Sequence, residues 1–72
     1  MTEEDLMVLT EITAEELMKK YSKGDSNTIQ NISSEIKDLI SYLSEEINHQ
    51  KILMELSRQG YLKKNKGYVE FL

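Results

Sequence analysis

The chain has 72 residues, with 13 Asp and Glu against 9 Lys and Arg, one histidine and no cysteine. That length allows one domain over residues 1–72 whose single apolar core contributes only about 3–5 kcal/mol of net stability, and the lack of cysteine excludes disulfides, thiolate metal centres and cysteine nucleophiles. The charge is uneven: residues 1–48 carry four lysines against eleven acids, and residues 49–72 carry Lys51, Arg58, Lys63, Lys64 and Lys66 against Glu55 and Glu70.

Thr2 before Glu3, Glu4 and Asp5 is a helix start, since the hydroxyl takes an orphan amide and the carboxylates favour the positive end of the helix dipole. Leu6, Leu9 and Ile12 then share a face. Thr13-Ala14-Glu15-Glu16 repeats the signal as a capping box, which predicts two short helices at about 3–12 and 14–22, the second with Leu17, Met18 and Tyr21 as its apolar positions. Ser22–Asn27 reads as a connector between helices. Gly24 suits a left-handed helix exit, and Asp25, Ser26 or Asn27 can cap the next helix.

From Ile29 the apolar residues fall at 29, 32, 36, 39, 40, 43 and 47 in steps that keep one stripe on a helix from about 27 to 47. The stripe has two readings. It packs in the chain's own core, or Ile29, Ile32, Ile36, Leu39 and Leu43 form a helical interface with a second copy or another partner. Beyond Ile47 the stripe fails, so a separate helix is expected at about 49–59, capped by Asn48 and burying Ile52, Leu53 and Leu56. Gly60 ends it. Tyr61-Leu62 and Tyr68–Leu72 then have strand composition around the polar loop Lys63–Gly67, which predicts a hairpin. The expected fold class is mainly α, with three or four helices and a small C-terminal β-hairpin.

A helix with Leu53 and Leu56, then Gly60-Tyr61-Leu62, a basic loop and a second strand at Tyr68–Phe71 is similar to the end of many winged-helix domains. The resemblance covers about the last third of the chain. It implies a helix-turn-helix in which Glu35–Leu43 supports the 49–59 helix across a turn at Ser44–Asn48. It further implies that Asn48, Gln50, Lys51, Ser57 and Arg58 approach the major groove while Lys63, Lys64, Asn65 and Lys66 on the wing approach phosphates. Winged-helix folds also serve as protein-binding modules, so the fold alone leaves the ligand open.

No nucleophile-base pair, glycine-rich phosphate loop or ligand-spaced cluster occurs, so no enzyme activity, cofactor, metal or small-molecule substrate is expected. His49 reads as a helix-end or partly buried residue, and the pairs Glu3-Glu4, Glu15-Glu16 and Glu45-Glu46 read as helix-start acids. The basic hairpin either binds an anion or protects an edge strand from pairing with other chains. The longest apolar run, Leu6–Leu9, is far short of the roughly 18 residues that cross a bilayer, and the acidic N-terminus lacks the marks of a secretory signal. A cytoplasmic protein without a membrane contact is therefore expected. The functional expectation is a small regulatory protein that binds double-stranded DNA as a homodimer, since doubled phosphate contacts recover the affinity that five cations alone lack. The alternative is an acidic protein-interaction module of the phage or mobile-element type, docking on a partner protein through its helices.

Overall fold

The computed structural model describes residues 2–41 and 48–72. Its elements run α1 (Glu3–Lys20), β1 (Ser26–Thr28), α2 (Ile29–Ser41), α3 (His49–Arg58), β2 (Leu62–Asn65) and β3 (Tyr68–Phe71). The described chain is mainly helical, with a small antiparallel sheet formed by the C-terminal hairpin and one earlier strand.

Thr2 caps α1 as expected. Its hydroxyl accepts from the Asp5 amide at 3.2 Å, and its own amide donates to the Asp5 carboxylate at 3.3 Å, so two orphan donors are satisfied together. The expected break at Thr13 does not occur, and α1 is one helix of 18 residues. The Thr13 hydroxyl donates back to the Leu9 carbonyl at 2.7 Å, and Thr10 does the same to Leu6. A hydroxyl satisfied on the preceding turn has no need to start a new helix. Both threonines are buried, while Ile12 and Met18, expected on the inner faces, are exposed.

The Ser22–Asn27 connector holds an unexpected strand. β1 pairs antiparallel with β3, which pairs on its other side with β2, giving the sheet order β1-β3-β2. The pairing extends at both ends: the Phe71 amide donates to the Asp25 carbonyl at 2.8 Å and the Ile29 amide to the Gly67 carbonyl at 3.1 Å. Of Ser-Asn-Thr only Thr28 favours a strand; the segment is extended because the free edge of β3 supplies hydrogen-bond partners. The helix expected from about residue 27 therefore starts at Ile29. Its first turn is capped by Thr28, whose hydroxyl accepts from the Asn31 amide at 3.1 Å, in place of Asp25, Ser26 or Asn27.

The stripe on α2 is spent inside the chain. Ile32 and Ile36 are fully buried, Ile40 is buried, and Ile29 and Leu39 pack half-buried against the same cluster. Ile32 and Ile36 are thus unavailable to a second copy, a correction to the interface reading. Leu43, Ile47 and the turn at Ser44–Asn48, apart from Asn48, lie outside the described residues.

Asn48 is extended at φ −79°, ψ 119°, and its side chain accepts from the Gln50 amide at 2.8 Å, so α3 is a separate helix rather than a continuation of α2. Ile52, Leu53 and Leu56 are buried as expected. At the far end the Gly60 amide donates to the Ser57 carbonyl at 3.2 Å and the Tyr61 amide to Leu56 at 3.0 Å. This double bond pattern requires a left-handed residue after the cap, which Gly60 supplies at φ +87°.

The core joins Ala14 and Leu17 of α1, the three buried isoleucines of α2, the buried face of α3, and Leu62, Val69 and Phe71 of the sheet. Tyr21 stacks on Phe71 with ring centroids 4.6 Å apart. Its hydroxyl donates to the Glu35 carboxylate at 2.6 Å and accepts from the Asn27 side-chain Nδ2 at 3.0 Å, and Lys20 pairs with the other Glu35 oxygen. Burial opposes ionisation of Glu35, but the hydrogen bonds from Lys20 and Tyr21 outweigh it and hold the carboxyl below its ordinary range. This polar clasp ties α1, β1 and α2 together at one corner. No helix among the described residues is long and apolar enough to cross a membrane.

Candidate nucleic-acid interface

With Ile52, Leu53 and Leu56 turned inward, the helical period places Gln50, Lys51, Met54 and Arg58 on the opposite side of α3. All four are exposed. Asn48 is exposed at the helix start, but its side-chain oxygen is committed to the cap. Ser57 is half-buried at the margin.

Arg58 is exposed but engaged. Its Nε donates to one Glu55 oxygen at 2.9 Å and a terminal nitrogen to the other at 2.8 Å, a two-point fork, while Gln59 adds a third bond to the same carboxylate at 3.1 Å. The hydrogen bond from Arg58 depresses the Glu55 carboxyl, and the same bond raises the guanidinium. Arg58 therefore brings little net charge to the surface. A shallow groove between α1 and α3 collects this pair together with Glu3, Leu6 and Met7.

The expected five-residue loop is tighter in the structure. Asn65 pairs with Tyr68, leaving Lys66 and Gly67 as the turn, and Gly67 adopts φ +78°. Lys63 and Lys64 accordingly belong to β2, where successive side chains alternate between faces. Lys63 stands opposite Glu70, and Lys64 stands opposite the buried Val69. The hairpin lysines thus form a spread of charge around the ribbon instead of one cluster in a loop, because pairing close to the turn imposes the strand period on them. Asn65 is half-buried, and the three lysines are exposed. The ion pairs among the described residues are Lys19–Glu16, Lys20–Glu35 and Arg58–Glu55, so Lys51, Lys63, Lys64 and Lys66 have no carboxylate of a described residue within 4 Å.

Two residues on this surface are not singled out by the sequence pattern. Met54 is 62% exposed in the middle of the outer face of α3, although apolar residues on a helix are expected inside. Its position off the Ile52, Leu53 and Leu56 stripe was the available signal. Glu55, three residues before Arg58, had the spacing of a helical ion pair. His49 is half-buried, and no group of three His, Cys, Asp or Glu that could hold a metal occurs among the described residues. No protein-family model matches the chain, and no curated protein and no solved structure matches it.

Proposed function

We propose that this chain is a winged-helix-like regulatory module that binds double-stranded DNA, with α3 directed to the major groove and the β2–β3 hairpin to phosphates. The element order, with a helix and a strand before two helices and a closing hairpin, and the sheet order β1-β3-β2 support that arrangement. The observation that carries the reading is the passage from α3 through Gly60 into the hairpin. Lys51 on the helix and Lys63, Lys64 and Lys66 on the ribbon are exposed there without an ion-pair partner among the described residues. Four exposed cations with no ion pair among the described residues, Lys63 alone facing a carboxylate across the ribbon at Glu70, favour a polyanion, while the net charge of −4 opposes loose attachment of the rest of the molecule. Gln50 and Lys51, exposed on the outer side of α3, are the side chains assigned to base edges in this reading, and Arg58 contributes only the part of its donor fork that Glu55 leaves open.

Fluorescence anisotropy with a labelled mixed-sequence duplex, repeated across salt concentrations, tests the reading. Four lysines neutralising phosphates give a slope of about −3 to −4 in log K against log salt, and replacing Lys63, Lys64 and Lys66 with alanine reduces it to about −1. Absence of binding at low salt, or a slope indifferent to the triple substitution, overturns the proposal.

A further inference from the structure

We propose that the outer face of α1 is a docking surface for a basic amphipathic helix of another protein. This surface meets the α3 face only at Met7, which borders the groove holding Arg58, and the inference does not depend on DNA binding. Met7, Val8, Ile12 and Met18 of α1 are 45%, 51%, 39% and 56% exposed, an unusual concentration of large apolar residues on the outside of one helix. Their arrangement is ordered. At about 100° per residue, Met7 and Met18 align along one edge of the outer face and Val8 and Ile12 along the other, with Glu4, Glu11 and Glu15 on the line between them. Thr10, Thr13, Ala14 and Leu17 are the buried residues of the helix, and none of this outer set belongs to the core cluster.

The carboxylate line identifies the partner. Glu4, Glu11 and Glu15 are exposed and take part in no ion pair among the described residues, while the neighbouring Lys19 is already held by Glu16 at 3.0 Å. A second copy laid on this face brings a second carboxylate line against the first, and anionic lipid and nucleic acid are repelled by the same charges. A partner that covers the apolar edges while meeting the acids needs cations along its centre and apolar residues on both flanks. It must also extend about 16 Å, the rise from Met7 to Met18. A helix whose contact face carries a line of lysines flanked on both sides by apolar residues has that pattern and that length, and the methionine edge of α1 adapts to its side chains.

Isothermal titration with a synthetic leucine–lysine helical peptide whose lysines form one line flanked on both sides by leucines, and a leucine–glutamate peptide of the same pattern as control, tests this. The expected result is one-to-one binding of the leucine–lysine peptide, weakened about tenfold or more by Val8→Asp with Ile12→Asp, and no binding of the control. Circular dichroism verifies that the exposed substitutions leave the fold intact. A second variant, Glu11→Lys with Glu15→Lys, should shift preference toward the leucine–glutamate peptide. Three results overturn the proposal: no binding of the leucine–lysine peptide, binding unaffected by both variants, or wild-type self-association in sedimentation that Val8→Asp with Ile12→Asp abolishes. The last would assign the face to a second copy.

Discussion

Helix α2 buries Ile32, Ile36 and Ile40 and presents no large apolar residue to solvent, whereas α1, the longer helix, buries two threonines and exposes Met7, Val8, Ile12 and Met18. Both pack on the same core. In α2 every apolar residue serves the fold, so its period is clean and its inner face can be read directly. In α1 apolar residues lie on two faces, and the inner face is partly built from threonines whose hydroxyls are satisfied by the preceding turn. The contrast separates surface kept for folding from surface that folding leaves over. Charge follows the same division, since the outer side of α1 is acidic while the lysines of the hairpin end, without an ion pair among the described residues, lie elsewhere.

The contrast breaks most visibly in the core of α2. Ile36→Ala removes a fully buried side chain and is expected to cost about 2–5 kcal/mol, enough to unfold a domain of this size, as read from the urea midpoint. A loss below about 1 kcal/mol would mean that α2 is not the centre of the fold.

A middle-sized effect tests the clasp joining the two helices. Tyr21→Phe keeps the stack on Phe71 but removes the hydrogen bond to Glu35, for an expected loss of about 1 kcal/mol. The clasp also has a pH signature. Glu35 titrates lower in the folded than in the unfolded chain, so its contribution is complete above the unfolded value near 4.5 and is lost as pH falls through the folded value. Acid titration of stability should therefore be shallower in Glu35→Gln than in the wild type. Equal acid sensitivity would show that the carboxylate is not held by Lys20 and Tyr21.

The smallest effect sharpens the contrast. Val8→Ser and Ile12→Ser lie on the outer side of α1 and should each change stability by less than about 0.5 kcal/mol in thermal melts. A larger loss would place this face in the fold and remove the reason to seek a partner for it.

Several elements were legible because neighbouring residues along the chain decide them. Asn48 caps α3, Thr2 and Asp5 close the first turn of α1, and Gly60 provides the left-handed exit. Each is a contact between groups a few residues apart, with a side chain suited to one role. The buried faces of α2 and α3 were legible because their apolar residues repeat with the helical period. The candidate site was legible as a list of cations but not as an arrangement. The pairing of Asn65 with Tyr68 moved Lys63 and Lys64 out of a loop and into a strand, and the fork to Glu55 removed Arg58 from the uncompensated charges.

Sequence alone determined the caps, the glycine turns, the helical periods and the polarity of charge, since these depend on short-range sterics and on residue type. Tertiary structure decided that Ser26–Thr28 is a strand, that Thr13 continues a helix it could have begun, and that Ile12 and Met18 face outward. In each case the residue had two physically acceptable states: the free edge of β3 chose the strand, the shared core chose the face that α1 turns inward, and burial on that face left the Thr13 hydroxyl to the Leu9 carbonyl one turn back.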